Sequence, residues 1–241
     1  MQTKPALQQT LFEIRSILRN GEQLMVTFLF PIGLFFLLTQ TTILMPDLAD
    51  RVQTFSPGIF AIAIIATSFT SQAIATAFDR RNGVLRLIGT TPVGRSGLLT
   101  AKIGANLGIA ILQSTLLYLL VSFSDSDATL NLGVLLLAIV LGTVTFTALA
   151  FLIAGTLRAE AVLALANIFL ILMLTTPGVL KSYESNNALV NAILKCNPQV
   201  LLANLIRPDT LGHVSIIYPS LGLLAWAVTF STIAARTFKW D

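Results

Sequence analysis

The chain has 241 residues, of which 55% are hydrophobic and 11% are charged. Soluble domains carry about 25% charged residues, so these side chains are too few to cover a water-facing surface. The net charge of +4 does not indicate a nucleic-acid partner, because basic residues of membrane proteins gather on the cytoplasmic side. A lone cysteine, Cys196, excludes an intramolecular disulfide and a cysteine metal cluster. We therefore predict an all-α, polytopic membrane protein whose residues 1–241 form a single transmembrane domain.

The N-terminal segment is polar but patterned, and we predict an amphipathic interfacial helix over residues 1–22. Its apolar side chains recur at spacings of three or four, which places them on one face of a helix, and basic side chains supply another face. The residues that define this interfacial helix are Leu7, Leu11, Ile14, Arg15 and Leu18. Such helices lie in the plane of the membrane interface. The alternative is a short solvated helix or a disordered tail.

Six apolar segments follow, each near the length of about 20 residues that a membrane-spanning helix needs. They cover residues 23–45, 58–78, 98–123, 132–157, 161–180 and 216–235. We expect the first of them to remain as a span, because it is too long for a signal peptide and no small-x-small cleavage site follows it. We also expect a polar loop from Pro46 to Pro57 and a cytoplasmic loop over residues 79–97.

The distribution of lysine and arginine predicts which way the chain crosses the membrane. With the N-terminus inside, eleven of the 15 basic residues, Lys102 among them, lie on the cytoplasmic side. Only Arg51, Lys181, Lys195 and Arg207 fall outside. An even number of spans then returns the C-terminus to the cytoplasm. We expect a multi-pass protein of the plasma membrane, which in bacteria is the cytoplasmic membrane.

Residues 181–215 do not fit a simple span. Two apolar stretches, at 188–194 and 200–206, are interrupted by Asn197-Pro198. We predict two short helices that dip into the outer leaflet, since irregular backbone at membrane depth is tolerated where protein buries it. The alternative is an ordinary outer loop with an amphipathic turn.

The chain carries none of the common catalytic motifs, and we expect no catalytic residue and no metal site. No zinc-protease motif, nucleophile elbow or phosphate-binding loop is present. The interiors of the predicted spans lack charged residues, which argues against a proton relay. Neutral polar residues in these spans either join helices through hydrogen bonds or line a path for an amphiphilic substrate. The residues proposed for such a path are Thr67, Ser71, Gln72, Asn106, Gln113 and Asn167.

The loop over residues 79–97 is the most informative segment. Charged residues stop the span before it, Gly83 permits a turn, and an apolar-basic stretch follows at 84–88. Pro92 ends that stretch before the next span. The pattern predicts a small cytoplasmic helix that a partner protein binds in a groove. An interfacial amphipathic turn is the alternative.

This loop resembles the one between spans two and three in permease subunits of ABC-2-type ABC transporters. The matching residues are Asp79, Arg80, Gly83, Leu85, Pro92, Arg95 and Lys102. A second similarity lies in the outer segment, where the family has Asn-Pro followed by arginine. The matching residues there are Asn197, Pro198 and Arg207. The resemblance covers essentially the whole chain and is closest to the daunorubicin-resistance-type exporters of drugs and antibiotics.

The resemblance implies one part of a larger transporter. Two permeases, identical or related, pair in the membrane, and each docks on a separate ABC ATPase subunit, of which a complex holds two copies. ATP and Mg are expected on that subunit and no cofactor on this chain. Docking would use the cytoplasmic loop and the N-terminal helix. The residues expected to carry ATPase coupling are Asp79, Arg80, Arg81, Gly83, Leu85, Leu87, Pro92 and Arg95.

The cargo that the resemblance implies is a drug, an antibiotic or a lipid-like amphiphile moved outward. A haem-exporter-type permease is an alternative within the same class of ABC export permeases. Two readings from other classes stay open: an ATP-independent secondary carrier or channel, and a membrane scaffold subunit without transport of its own. Transport by the purified protein without an ATPase would favour the carrier.

Overall fold

The computed structural model describes residues 3–41, 47–91, 94–124, 130–176, 178–180, 186–207 and 216–238. Within these ranges every regular element is a helix. In chain order they are α1 (Thr3–Arg19), α2 (Gly21–Leu24, Met25–Leu29 and Phe30–Gln40), α3 (Leu48–Ile65, Ala66–Ser71 and Gln72–Arg81), α4 (Val84–Gly89), α5 (Gly94–Ser124), α6 (Leu132–Thr156), α7 (Ala159–Thr175), α8 (Ala188–Cys196), α9 (Pro198–Ile206) and α10 (Ile217–Thr237).

Helix α3 lies at the centre of the molecule. Its most apolar stretch is 89% buried, against 22% for α2 and 28% for α10, so the other helices enclose it. It packs against α2, α5, α6, α7 and α9. The aromatic rings of Phe69 on α3 and Phe169 on α7 lie 4.4 Å apart. The enclosing helices expose leucine, isoleucine and valine on their outer faces, as helices surrounded by lipid do.

The described helices include five that are long and apolar enough to cross a membrane, namely α2, α3, α5, α6 and α10. The number is six when α8 and α9, which bend by 77° at their junction, are counted as one broken span. The predicted span at 161–180 falls on α7, which has 17 residues and is therefore about 25 Å long. An all-α, multi-pass membrane protein is thus confirmed.

The polar loop predicted from Pro46 to Pro57 is wrong over its described part. Helix α3 already begins at Leu48, and Pro57 lies inside it. Proline removes one helical hydrogen bond. Burial offsets this loss here, because Val52 and Phe55 pack into the core before the proline is reached.

Helices α2 and α3 each contain a turn of π-helix. These turns, at Met25–Leu29 and Ala66–Ser71, lie against each other. The hydroxyl oxygens of Thr27 and Ser71 are 3.3 Å apart and join the two turns. Single π turns inside α-helices occur frequently at functional sites, because they redirect side chains and free backbone groups.

The two short helices predicted within residues 181–215 are present as α8 and α9. Asn197 separates them: it ends α8, and its Oδ1 accepts a hydrogen bond of 2.9 Å from the backbone N–H of Gln199. Pro198 then occupies the first helical position, where its missing N–H costs nothing. Helix α9 is almost entirely buried, whereas no residue of α8 is.

Candidate functional site

Helix α4 is the short helix predicted between the second and third spans. Gly83 begins it with φ of 74°, a left-handed conformation that glycine adopts without strain. The hydroxyls of Thr90 and Thr91 end it by donating hydrogen bonds to the carbonyl oxygens of Leu87 and Ile88, at 2.8 and 2.7 Å. The sequence on both sides of α4 therefore defines its limits.

Helix α4 has one buried and one exposed face. Leu85 is 2% exposed and anchors the helix to the bundle, whereas Leu87 is 69% and Val84 is 37% exposed. Arg86 is exposed beside them. A short helix with an exposed leucine, a valine and an arginine is a surface that a complementary groove of another protein can bind.

The two arginines at the end of α3 bind other helices of the same chain. The guanidinium of Arg80 donates a hydrogen bond from Nη2 to the carbonyl oxygen of Leu157, after α6. Arg81 Nη1 lies 2.7 Å from Glu160 Oε1, in the first turn of α7. These contacts attach the end of α3 to the connection between α6 and α7.

Lys102 forms a buried ion network that joins three helices. Its Nζ donates to Asp79 Oδ2 at 2.9 Å and to Glu13 Oε2 at 3.1 Å, so α5 is bound to α3 and to α1. The Lys102 side chain is 3% exposed. The sequence counted Lys102 only among the basic residues of the cytoplasmic side; its side chain is buried, and two carboxylates that accompany it into the interior make this burial tolerable. Gln9 Nε2 donates to the other oxygen of Glu13 at 2.9 Å.

Helix α1 packs along α5 over two glycines. A Cβ atom on Gly104 would lie 3.3 Å from Thr10 Cγ2, and one on Gly108 would lie 3.4 Å from Ile14 Cδ1. Small residues four apart let helices approach closely in this way. Most of the apolar stripe predicted on α1 is exposed, namely Leu7, Leu11 and Leu18. Arg15 beside it is exposed as well.

A cavity of about 400 Å³ lies where α1, α2, α3 and α4 meet, at the same end of the bundle as the ion network. Both π turns contribute to its lining, through Val26 of α2 and through Thr70 and Ser71 of α3. Lys102 and Asp79 form part of the wall. The cavity size is within the range of about 300–1,000 Å³ that small-molecule sites occupy.

Three of the residues proposed for a substrate path form hydrogen bonds between helices away from the cavity. Thr67 Oγ1 donates to Gln113 Oε1 at 2.6 Å, which joins α3 to α5. Asn106 Nδ2 donates to Thr147 Oγ1 at 3.1 Å, which joins α5 to α6. All four residues are buried. Their contacts favour a packing role.

The other three proposed path residues lie elsewhere. Ser71 and Gln72 line the cavity. The amide of Gln72 donates to Thr76 Oγ1 at 2.6 Å on the same helix. Asn167 is exposed on α7 and lies apart from the other five.

The Asn-Pro-Arg motif, formed by Asn197, Pro198 and Arg207, attaches the end of α9 to the segment after α7. Arg207 donates from Nη1 to the carbonyl oxygen of Gly178 at 3.1 Å, and from Nη2 to that of Val179 at 2.8 Å. It also donates to Asn204 Oδ1 at 2.8 Å. Burial lowers the pKa of Arg207, which lies beyond the last residue of α9, to about 10, so it stays charged at neutral pH.

Two predicted coupling positions are outside the description. Pro92 lies outside the described residues, and Arg95 belongs to α5, but its side chain is not described. Conversely, the sequence did not single out Glu13, and Thr70 was one of the neutral polar residues of its span but not one of those proposed for a path. A glutamate in an amphipathic helix is typical of a solvated residue, and a threonine in an apolar helix is typical of packing, so neither carried a recognisable signal.

A sequence profile of the ABC-2 type transporter family matches residues 9–208. No curated protein matches the chain. The matched region contains α4, the ion network, the cavity and the Asn-Pro-Arg motif. Because the match spans most of the sequence, this chain belongs to the ABC-2 type transporter family and is a permease component of an ABC transporter.

Proposed function

We propose that this permease exports drugs, antibiotics or lipid-like amphiphiles across the plasma membrane, using ATP that a separate subunit hydrolyses. The observation that carries the proposal is the architecture of α4. This helix exposes Val84, Arg86 and Leu87 while Leu85 holds it to the bundle. The excess of basic residues at this end of the spans favours a cytoplasmic location for α4.

In this proposal, the surface of Val84, Arg86 and Leu87 docks on the ATPase, and the neighbouring charged residues transmit its movement. Asp79 precedes α4 in the chain and binds Lys102 of α5. A displacement of α4 would therefore move α3 and α5 together. In the coupling role proposed for Asp79, Arg80 and Arg81, these residues would act by positioning helices within the permease, which their contacts inside the chain support.

The complete transporter would contain two permeases, identical or related, each with one ATPase subunit. ATP and Mg would be bound by the ATPase subunits. Both termini of this chain would lie in the cytoplasm, and α8 and α9 would lie at the outer face. The exposed stripe of Leu7, Leu11 and Leu18 on α1 fits a helix that lies in the membrane interface.

The test compares two leucines on the same helix after reconstitution with the ATPase subunit. Leu87→Ala should weaken ATPase binding and ATP-driven export by about fivefold or more, as truncation of a docking side chain does. Its unfolding temperature should stay unchanged, because Leu87 is 69% exposed. Leu85→Ala is the control: it removes a buried anchor and should lower the free energy of unfolding by about 2–5 kcal/mol.

The proposal fails if Leu87→Ala and Leu87→Glu both leave ATPase co-purification and ATP-driven export unchanged. Transport by the purified permease in liposomes without an ATPase would instead identify a secondary carrier or channel.

A further inference from the structure

Helix α7 has one face buried in the bundle and an opposite face that is open. It packs mainly against the second half of α3. Val162 and Ala166 lie on its buried face. Ala164, Asn167 and Ile171, at spacings of three and four, share the opposite face of the helix, and all three are exposed. The rest of the described chain therefore leaves this face of α7 uncovered.

The open face carries an amide in the middle of the helix. Asn167 is the central residue of α7 and lies about 12 Å from either end, too far for its short side chain to reach water. It forms no hydrogen bond within the described structure. The amides of Asn106 and Gln113, by contrast, bond to threonines of neighbouring helices. Because a polar group in hydrocarbon without a partner is costly, Asn167 favours a polar partner from outside the described chain.

The length of α7 also favours contact with another protein surface. Its 17 residues extend over about 25 Å, whereas the hydrocarbon core of a bilayer is about 30 Å thick. Association with another helix is one way in which a membrane accommodates a short span. Ala164, one turn before Asn167, is small enough to let a second helix approach the amide closely.

We propose that the face of Ala164, Asn167 and Ile171 binds the same face of a second copy of this chain. An asparagine amide contains both a donor and an acceptor, so two Asn167 side chains that meet at a twofold axis can form hydrogen bonds with each other. A lipid acyl chain offers neither group. Residues at spacings of three and four on two parallel helices also meet their own copies. The inference rests on the proposed function, in which two permeases pair: it makes the second permease an identical chain and names the contact.

The experiment is disulfide cross-linking of the full chain in the membranes of the cells that produce it. Cys196, the sole cysteine, is first replaced by serine. Ala164→Cys or Ile171→Cys then places a thiol one turn from Asn167 and leaves the amide intact. Both variants should form covalent dimers under a copper phenanthroline oxidant, because a disulfide needs Cα atoms within about 7 Å of each other. Non-reducing gels measure the rate.

The matched controls are Leu165→Cys and Leu172→Cys, each one residue further along the same helix. The two leucines are 42% and 52% exposed, so thiols there are accessible, but they point about 100° away from their neighbours in the chain. Ile171→Cys should cross-link at least about fivefold faster than Leu172→Cys, because only the former lies on the proposed contact. The same ratio is expected for Ala164→Cys against Leu165→Cys.

The role of the amide is measured in the Ile171→Cys variant. Adding Asn167→Leu removes both hydrogen-bonding groups at similar size and should slow cross-linking about threefold to fivefold. Adding Thr115→Val instead removes an exposed hydroxyl of α5 and should leave the rate within about twofold.

Equal rates for Ile171→Cys and Leu172→Cys would overturn the inference, and so would an unchanged rate after Asn167→Leu. Cross-links from Ile171→Cys that join only a different membrane protein would overturn it as well. Export that depends on the ATPase, combined with no cross-link at this face, removes the inference and leaves the proposed function. Cross-linking at this face in a chain that transports without an ATPase does the reverse.

Discussion

The two ends of this permease are held together by different forces. At the end that carries α1 and α4, charged side chains meet around a cavity, and Lys102 connects three helices. At the end that carries α9, apolar surfaces are in close contact, and a Cβ atom on Gly142 would lie 2.9 Å from Leu202 and 3.0 Å from Ile64. Ion pairs tolerate small displacements, whereas close packing does not. The end with α1 and α4 therefore depends on compensation between charged side chains, and the end with α9 depends on close packing and on the hydrogen bonds of Arg207.

The largest effect on the free energy of unfolding is expected from Lys102→Met. This change leaves Glu13 and Asp79 without their counterion in the interior, so the free energy of unfolding in micelles should fall by about 3–5 kcal/mol. Lys195→Met is the matched control, because Lys195 is exposed on α8. Adding Glu13→Leu and Asp79→Leu to Lys102→Met should restore much of the stability. A stable single variant would show that the charged end does not depend on this network.

An intermediate effect is expected from Gly142→Leu at the apolar end. The new side chain would overlap Leu202 of α9 and Ile64 of α3, which should cost about 1–3 kcal/mol of unfolding free energy. Gly33→Leu is the control, since nothing lies within 4 Å of a Cβ atom at Gly33. Thermal unfolding in nanodiscs measures both. Equal stability of the two variants would contradict close packing at this end.

The smallest effect is expected from Glu160→Gln. This change removes the partner of Arg81, but both side chains are more than half exposed, so the free energy of unfolding should change by less than about 1 kcal/mol. Chemical unfolding of the variant beside the parent chain measures it. A loss above 2 kcal/mol would mean that the surface pair, and not only the buried network, holds the charged end together.

The loop between the second and third spans shows how far sequence reasoning reaches. The short helix and its glycine start were predictable, because charge, glycine and proline mark such boundaries locally. The sequence did not predict which side chains of this loop face outward. Asp79, Arg80 and Arg81 bond within the chain. Val84 and Leu87, by contrast, are exposed. Side-chain direction around a tight turn depends on where neighbouring helices lie, and the loop sequence carries no information about them.

The polar residues of the spans illustrate the same limit. Their number and their place in the chain were evident, but Thr67 and Gln113 bond to each other while Asn167 lies on the exposed side of α7. Helical periodicity did not separate these cases, because a membrane-spanning helix is apolar on the side that faces lipid as well as on the side that faces other helices.

The sequence by itself determined the helical membrane class, the order of the apolar segments and the family of the chain, because hydropathy and short motifs are local and additive along the chain. Only the tertiary structure placed Glu13 beside Lys102, which is 89 residues away, and opened a cavity between two π turns. A buried ion pair and a cavity depend on distances between helices. Those distances follow from the packing of the whole bundle.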